Sequence, residues 1–418
     1  MENTIAFFVE NESEVRSYCR KFPVVFDKAL NSEIFDVDGK RYIDFLSVAG
    51  SMNYGHNNPF IKKEILNYLS DDRIINALDF HTTAKSEFFE LFVKEILKPR
   101  DLDYRVMCCG PTGTNAVEAA IKLARKNTGR TGVFAFSGAF HGMTLGALSL
   151  TTERKARLGG GIPLTGVTHI PYDNTGFDSI KYLKWALEDD HSGIDIPAAI
   201  ILETVQAEGG VNVAGVEWLK EIRKICDYYN ILLIVDDIQV GNGRTGRFFS
   251  FERAEIVPDM VVLSKSISGF GSPMAILLIK PQFDVFEPAE HNGTFRGNQL
   301  AFIGGAAGIK YFNAQGLAEI VQRKANLVET FIVDRILPID NRIVYRGIGL
   351  IWGIDFKGID SQIASKCVRK LFEKGLICEV AGSGDSVIKI LPPLTIDDDT
   401  LLEGLSIVQE AITELIDS

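Results

Sequence analysis

The sequence has few cysteines, and their spacing does not suit metal binding or cross-linking. Six cysteines occur among 418 residues; Cys108 and Cys109 are adjacent, the other four are scattered, and no C-x-x-C pair is present. Structural zinc sites and redox dithiols both depend on such paired spacing. We therefore expect reduced thiols, a cytoplasmic location and no bound metal.

Long apolar runs and an excess of basic residues are also missing. No uninterrupted apolar segment approaches the roughly 20 residues that cross a bilayer, and the start of the sequence lacks the basic and apolar regions of a signal peptide. The 44 lysines and arginines are outnumbered by 55 aspartates and glutamates, which gives a formal net charge of -11. Neither a membrane nor nucleic acid is therefore expected as a partner, because both surfaces are anionic.

The sequence does contain an alternation of short apolar strands and helical patterns, from about residue 60 to about residue 315. Short continuous apolar runs are typical of parallel strands that are covered on both faces. The runs that we predict as strands are Val133–Phe136, Ala198–Leu202, Leu232–Val235, Met260–Leu263 and Ala275–Ile279.

Further along the chain the pattern changes to a long helix followed by short strands and helices. The corresponding segments are Leu317–Ile332, Gly349–Phe356, Gln362–Lys374 and Val387–Leu391. We predict an α/β fold with a large domain over residues 61–325, whose mostly parallel sheet carries helices on both faces. A smaller α+β domain is predicted over residues 326–418, and the N-terminal segment 1–60, with its Asp-Gly hairpin turn, is expected to complete it.

Charged residues follow two neighbouring predicted strands. Lys265 follows the run Met260–Leu263, and the acidic pair Asp236-Asp237 follows the run Ile231–Val235. Because ligands bind at the carboxyl ends of parallel strands, this amine and an acid are expected to face one cleft. Pyridoxal phosphate needs such a pair, a lysine for its Schiff base and a carboxylate opposite its pyridine nitrogen. Taken singly, the lysine could also be a solvated loop residue, and the acid could be a helix cap.

Two glycine-rich segments suggest opposite conclusions about phosphate binding. Gly110–Asn115 precedes a predicted helix, where glycines, free amides and the Thr114 hydroxyl could hold a phosphate, although an ordinary helix cap is the alternative. Gly241–Gly246 formally matches the dinucleotide fingerprint, but no helical pattern follows it. Without a helix N-terminus at the pyrophosphate, NAD binding is rejected.

Two further motifs stand at strand ends. Phe140-His141-Gly142 follows the strand Val133–Phe136, where the aromatic ring could stack on a planar cofactor or belong to the core. Glu203 and Glu208 follow the strand Ala198–Leu202 and suit a substrate ammonium or a neighbouring arginine. Together with Lys265 and Asp236, these motifs give the set of groups that pyridoxal phosphate requires.

With these motifs the sequence resembles the class-III, or ω-, aminotransferases, which are fold-type I pyridoxal-phosphate enzymes, over nearly its whole length. Within that family it is most similar to the L-2,4-diaminobutyrate:2-oxoglutarate transaminases, including those of ectoine biosynthesis. The blocks that carry the resemblance are Gly110–Arg125, Glu203–Gly210, Val235–Glu252, Ser264–Ser266, Asn292–Asn298 and Leu391–Ile396.

The resemblance implies a role for each matched residue. Lys265 would hold the cofactor covalently and then move the substrate proton, and Asp236 would keep the pyridine nitrogen protonated. Thr294 would reach the cofactor phosphate of the other subunit, which makes a homodimer the minimal active unit. The remaining cofactor contacts would come from Gly113, Thr114, Phe140, His141 and Gln239. Glu203, Glu208 and Lys389 would bind or gate the substrate.

Lys389 departs from the family pattern. Many relatives place an arginine before the Pro-Pro-Leu block to bind the α-carboxylate of the amino donor, whereas this chain has Ile388-Lys389-Ile390. Lysine is a point charge and not a bidentate clamp. Carboxylate binding at Lys389 is therefore one expectation, and a solvated strand lysine is the other.

The resemblance implies an amino donor and an aldehyde or oxo-acid acceptor as small-molecule partners. The reaction expected from it moves the amino group of L-glutamate to L-aspartate 4-semialdehyde, giving L-2,4-diaminobutyrate and 2-oxoglutarate. The alternatives are another ω-aminotransferase acting on ornithine, 4-aminobutyrate or a related terminal amine, a decarboxylase or aminomutase on the same fold, and a non-catalytic protein that binds pyridoxal phosphate.

Overall fold

The computed structural model of the chain describes residues 2–417, and the side chains of residues 4–417. Its strands, in chain order, are β1 (Phe26–Leu30), β2 (Glu33–Asp36), β3 (Arg41–Asp44), β4 (Arg105–Cys108), β5 (Val133–Phe136), β6 (Val167–Ile170), β7 (Ala199–Leu202), β8 (Val205–Gln206), β9 (Asn212–Val213), β10 (Leu232–Asp236), β11 (Met260–Leu263), β12 (Ile276–Ile279), β13 (Val344–Ile348), β14 (Ile351–Asp355), β15 (Leu376–Ile377), β16 (Glu379–Ala381) and β17 (Val387–Ile390).

The α-helices, in chain order, are α1 (Glu2–Asn11), α2 (Tyr18–Lys21), α3 (Ser47–Gly50), α4 (Pro59–Ser70), α5 (Thr83–Leu91), α6 (Gly113–Thr128), α7 (Leu145–Leu150), α8 (Arg154–Leu158), α9 (Ser179–Glu188), α10 (Val216–Tyr229), α11 (Gln299–Ala314), α12 (Leu317–Phe331), α13 (Gln362–Glu373) and α14 (Asp398–Ile416). Across residues 2–417, none of them is apolar over a length that would cross a bilayer.

A seven-stranded sheet forms the centre of the molecule, in the order β4-β12-β11-β10-β7-β5-β6. All neighbours in it run parallel except β12, which is antiparallel to both β11 and β4. Successive residues of β10 point to opposite faces: Leu233 and Val235 pack into one core with Trp218, and Leu232 and Ile234 pack into a second core with Val117. The mostly parallel α/β fold that we predicted is confirmed.

The predicted strands and helices differ from the observed ones mainly at their ends. β7 and β12 each begin one residue later than predicted, and β10 extends to Asp236. Helix α12 ends at Phe331 and continues as a π-helical turn, Ile332–Ile336. The antiparallel direction of β12 could not be predicted, because a continuous apolar run carries no information about direction.

Two smaller sheets accompany the central one. β13, β14, β17 and β16 form an antiparallel sheet in that order, and β1, β2, β3 and β15 form the other. In the latter, Leu376 of β15 pairs in parallel with Ile43 of β3, so that a segment from the N-terminal part of the chain and one from the C-terminal part share one sheet. The domain boundaries after residues 60 and 325 stay predictions.

Candidate active site

Lys265 lies directly beyond β11, at the start of a short helical turn, Lys265–Ser268. Its φ is +53°, in the left-handed region that non-glycine residues rarely adopt. The hydroxyls of the flanking serines fix this conformation: Ser264 Oγ donates to the Met274 carbonyl at 2.7 Å, and Ser266 Oγ donates to the Gly50 carbonyl at 2.8 Å. Backbone strain of this kind concentrates at functional positions.

The amine of Lys265 is deep in the protein. Burial lowers its pKa to about 8, against the opposing effect of the carboxylates of Glu208, Glu379 and Asp236. Its Nζ makes no hydrogen bond or ion pair within residues 4–417. The amine is therefore available for chemistry and is deprotonated at a lower pH than an ordinary lysine.

Asp236 ends β10, next to the strand that leads to Lys265, and it pairs in register with Val262. Its Oδ2 lies 2.8 Å from His141 Nδ1, and its Oδ1 accepts a hydrogen bond from the Ile238 amide at 3.2 Å. Both side chains are buried. His141 thus holds the carboxylate of Asp236 at the carboxyl edge of the sheet, beside Lys265.

The start of α6 presents free backbone amides. Thr112 caps the helix by accepting from the Asn115 amide, and the amides of Gly113 and Thr114 have no acceptor in the described part of the chain. Gly142 comes so close to this helix start that a Cβ there would lie 2.3 Å from Thr114 Oγ1. The Phe140–Gly142 loop therefore packs against the helix N-terminus, where an anion is favoured.

A hydrogen bond joins Phe140 to Glu203. The Phe140 amide donates to Glu203 Oε1 at 3.0 Å, and the Phe140 ring is 38% exposed. Burial and the neighbouring carboxylates of Asp236 and Glu208 raise the pKa of Glu203 well above its usual range, against the effect of the Phe140 amide and Lys265. Glu203 thus positions the loop that carries the exposed ring, which sequence reasoning did not anticipate.

Lys389 is buried rather than solvated. Its side chain is 0% exposed, and its Nζ lies 2.6 Å from Glu208 Oε1 and 3.3 Å from Gln239 Oε1. Gln239 in turn donates to Glu208 Oε1 at 3.1 Å and to the Ala49 carbonyl at 3.0 Å. The structure therefore excludes the solvated strand lysine and brings three predicted site residues together.

The charges of this cluster depend on one another. Burial opposes the charged form of Lys389, but the carboxylates of Glu208 and Glu379 outweigh it and raise the pKa of Lys389. Burial likewise opposes ionisation of Glu208, but Lys389 and Lys265 outweigh it and lower the pKa of Glu208. Lys389 and Glu208 are thus an ion pair at neutral pH.

Two residues of the cluster were missed by sequence reasoning. Glu379 Oε1 lies 2.9 Å from Lys389 Nζ, and the Tyr18 hydroxyl donates to Glu379 Oε2 at 3.0 Å. Glu379 interrupts one apolar run, and Lys389 interrupts the next one along the chain. Opposite charges in two successive apolar runs could have predicted a cross-strand ion pair.

Within residues 4–417, the Thr294 side chain makes no hydrogen bond to the other predicted site residues. It is exposed at the start of a short helical turn, Thr294–Gly297, and its carbonyl accepts from Asn76 Nδ2 at 3.4 Å. The Thr294 side chain is exposed and takes part in none of the contacts described above for Lys265, Asp236 and Lys389.

Comparison with protein families matches residues 16–412 to the family described as aminotransferase class-III. The chain belongs to this family. A diaminobutyrate–2-oxoglutarate transaminase of Halalkalibacterium halodurans is 50% identical over 98% of this chain and 97% of its own length. A protein of the same name from Streptomyces coelicolor is 48% identical over 98% of each chain. The ornithine aminotransferase of Toxoplasma gondii, whose structure has pyridoxal phosphate at partial occupancy, shares 26% identity with a TM-score of 0.86, covering 100% of this chain and 95% of the other.

These comparisons confirm the predicted enzyme class and the predicted cofactor, pyridoxal 5′-phosphate. The residues of this aminotransferase fit that cofactor. The free amides of Gly113 and Thr114 suit its phosphate, the buried carboxylate of Asp236 suits its pyridine nitrogen, and the unpaired amine of Lys265 suits its aldehyde. The exposed ring of Phe140 can cover its flat face.

Proposed function

We propose that this enzyme transfers the amino group of L-glutamate to L-aspartate 4-semialdehyde, giving L-2,4-diaminobutyrate and 2-oxoglutarate. The observation that carries the proposal is the Glu208–Lys389 ion pair, which lies within electrostatic range of Lys265. The pair can stay intact when diaminobutyrate binds and can open when glutamate binds. The relatives of 48–50% identity that are named diaminobutyrate–2-oxoglutarate transaminase support the choice of substrates.

In this proposal the cofactor is held by groups from several strand ends and one helix. Gly113 and Thr114 bind the phosphate, Phe140 covers the ring, and His141 holds Asp236 against the pyridine nitrogen. Gln239, which donates to Glu208 Oε1, would lie near the cofactor's phenolic oxygen. The enzyme is then positioned to use the cofactor's protonated ring, which withdraws electrons and stabilises the negative charge left when a substrate proton departs.

Lys265 moves that proton. Burial lowers its pKa to about 8, so more of its amine is in the free-base form near neutral pH than for an ordinary lysine. The left-handed backbone and the two serine hydroxyl contacts fix where the side chain starts. With the cofactor bound, Lys265 would therefore move a proton between the amine-bearing carbon of the substrate and the C4′ carbon of the cofactor.

Glu208 and Lys389 distinguish the two donors. The terminal amine of diaminobutyrate is bonded to a carbon that has no carboxylate. This end of the substrate therefore needs no cation, and the Glu208–Lys389 ion pair can stay intact. The amine of glutamate stands beside a carboxylate, which Lys389 can bind once the Glu208 side chain turns away. The Glu208 side chain is 33% exposed and that of Lys389 is 0% exposed, so Glu208 is the member of the pair that has solvent to turn into.

The active site in this proposal is shared by two subunits. Thr294 is exposed and neighbours a surface of apolar side chains, which comprises Ile74, Leu78, Phe80 and Phe295. The Ala77 amide donates to the Gly297 carbonyl, which holds the two segments of this surface together. An exposed apolar surface of this kind is suited to a second subunit, and Thr294 would enter that subunit's phosphate site. The cytoplasmic location stays a prediction from the sequence.

A half-reaction tests the proposal. Purified protein carrying pyridoxal phosphate is mixed with L-2,4-diaminobutyrate in the absence of an acceptor, and its absorption spectrum is followed. Conversion of the visible band to a near-ultraviolet band supports the proposed donor. A yellow protein that responds to glutamate but not to diaminobutyrate would refute the substrate while leaving the enzyme class in place. Ornithine and 4-aminobutyrate are run beside it, because a faster response to either would favour another ω-aminotransferase.

A further inference from the structure

Lys389 has two carboxylate neighbours, and they differ in exposure to solvent. Glu208 follows the two-residue strand β8 and is 33% exposed, whereas Glu379 lies within β16 and its side chain is 5% exposed. In the antiparallel β16–β17 pair, Glu379 stands directly opposite Lys389. The Tyr18 hydroxyl holds the second oxygen of Glu379 from the other side. Glu379 is therefore enclosed by partners on both sides, whereas Glu208 has an exposed side toward which its carboxylate could turn.

The departure of Glu208 would be costly if it left Lys389 alone. A fully buried ammonium without a counterion loses its proton or draws in water, because desolvation disfavours its charged form. A neutral amine would not attract the carboxylate of the incoming substrate. A binding site that exchanges one carboxylate for another thus needs a second source of negative charge at Lys389.

We propose that Glu379 is the fixed counterion of Lys389, a positioning residue that keeps the ammonium charged and in place while Glu208 gives way to a substrate carboxylate. The inference rests on the proposed use of Glu208 and Lys389 by glutamate. Glu379 should therefore affect the half-reaction with glutamate. It should not affect the half-reaction with diaminobutyrate in this way, because the Glu208–Lys389 ion pair stays intact there.

Other titratable groups near Lys389 do not supply this charge. Tyr18 and Cys378 both stay neutral over the working range, because burial raises the pKa of the phenol and of the thiol. Lys265 adds positive charge when it is protonated and so opposes the charged form of Lys389. Glu208 and Glu379 are the carboxylates in contact with Lys389 within residues 4–417.

The variant Glu379→Gln keeps the shape and an acceptor for Tyr18 but removes the charge. Single-turnover half-reactions with glutamate and with diaminobutyrate are measured from about pH 7 to about pH 10, with the unaltered protein measured at each pH. We expect the glutamate half-reaction to fall by about tenfold at the alkaline end relative to the unaltered protein, with a smaller loss at neutral pH. Because Glu379 also raises the pKa of Lys265, both half-reactions share any change near neutral pH, but the diaminobutyrate half-reaction should be unchanged at the alkaline end, where Lys265 is already neutral.

A binding measurement gives a readout without turnover. 2-Oxoglutarate cannot react with the pyridoxal form of the enzyme, so calorimetry reports its affinity alone. Its affinity for Glu379→Gln should weaken with rising pH more steeply than its affinity for the unaltered protein. The double variant Glu379→Gln/Lys389→Arg should remove this extra pH dependence, because a guanidinium keeps its charge over the whole range.

Asp355→Asn is the matched control. Asp355 lies on β14 of the same sheet, pairs with Arg346 at 3.0 Å and forms no ion pair with Lys389 within residues 4–417. If Asp355→Asn reproduces the alkaline loss with glutamate, or if Glu379→Gln affects both half-reactions equally at every pH, the role of Glu379 is general packing and the inference is overturned. Should Glu379→Gln fail to fold, Glu379→Asp keeps the charge at a shorter reach and must retain the alkaline glutamate reaction.

The outcome also separates this inference from the proposed substrate. An unaltered protein that responds to glutamate and ignores diaminobutyrate refutes the diaminobutyrate proposal, yet the glutamate pH profile and 2-oxoglutarate affinity still decide the role of Glu379. Normal glutamate profiles in Glu379→Gln, with diaminobutyrate accepted by the unaltered protein, overturn the inference and leave the proposed function standing.

Discussion

Asp236 and Asp237 are consecutive in the sequence, but their carboxylates contact different parts of the protein. Asp236 Oδ2 lies 2.8 Å from His141 Nδ1 at the cleft, whereas Asp237 Oδ2 accepts from the Ser250 amide at 3.1 Å. Burial raises the pKa of Asp237 to about 7, which the contacts with Ser250 only partly offset. The structure thus gives a catalytic candidate and a structural carboxylate on adjacent positions.

Asp236→Asn should retain the cofactor but slow proton removal by at least about 100-fold, because the pyridine nitrogen loses its anionic partner. The half-reaction with glutamate, followed by absorbance, measures this. Asp237→Asn is the matched control, since an amide can keep the Ser250 contact, and its rate should stay within about threefold of the unaltered protein. Equal losses in both variants would contradict the role given to Asp236.

Lys265→Met should abolish turnover and stabilise the cofactor-free protein. Burial lowers the pKa of Lys265 to about 8, so below that pH the folded chain carries a buried cation that methionine removes. We expect a gain of about 1–2 kcal/mol in the free energy of unfolding at about pH 7. The gain should shrink between about pH 8 and about pH 10, because the folded lysine is then neutral while the unfolded one is still charged.

Denaturant unfolding of the cofactor-free protein at about pH 7 and at about pH 10 measures this change in the free energy of unfolding. Lys63→Met, at an exposed position of α4, is the control and should show no comparable dependence on pH. A gain for Lys265→Met that is the same at the two pH values would rule out a charge effect.

Mixed dimers should recover activity if Thr294 acts across the subunit interface. Lys265→Ala and Thr294→Ala proteins are each expected to be impaired, the first completely. In a mixed dimer, one site combines the intact Lys265 of one chain with the intact Thr294 of the other. Refolding the two variants together should therefore restore up to about a quarter of normal activity, from one site in half of the molecules. Absence of recovery, with mixed dimers demonstrated by two affinity tags, would place Thr294 outside the shared site.

Gly304→Ala should destabilise the protein through the turn that carries Lys265. A Cβ at Gly304 would lie 2.4 Å from the Ser268 carbonyl, because α11 packs closely against the Lys265–Ser268 turn. We expect a loss of about 1–3 kcal/mol in the free energy of unfolding, together with slower cofactor binding. Gly132→Ala, whose added Cβ would meet nothing closer than 3.9 Å, should change stability little. A neutral Gly304→Ala variant would show that the turn can move without cost.

The sequence predicts the central sheet and the two residues at its carboxyl edge for a physical reason. Buried parallel strands are continuous apolar runs, so a charge at the end of such a run, as at Asp236 and Lys265, stands out. Asp236 and Asp237 could not be told apart by spacing alone, and the resemblance made the choice between them. The structure tells the two apart, because Asp236 contacts His141 of a predicted site loop and Asp237 contacts Ser250.

Residues that reach the site from distant segments were harder to predict. Glu379 and Tyr18 lie in short stretches that carry no motif, and their contact with Lys389 depends on how β16 packs beside β17. The sequence left two alternatives for Lys389 itself, because burial of a lysine depends on partners that spacing does not identify. Only the three-dimensional arrangement of Glu208, Glu379 and Gln239 decides between them.

The left-handed backbone of Lys265 has a consequence for how the enzyme fails. A non-glycine residue held in that conformation costs of order 1–3 kcal/mol, and the surrounding contacts with Met274 and Gly50 keep it there. When warming or denaturant weakens those contacts, relaxation of this turn releases its backbone strain. Its free energy therefore falls more on relaxation than that of an unstrained segment. Inactivation of this aminotransferase should accordingly precede the loss of its helices, so that a protein that is still folded by spectroscopic criteria has already lost its reactive lysine from the cleft.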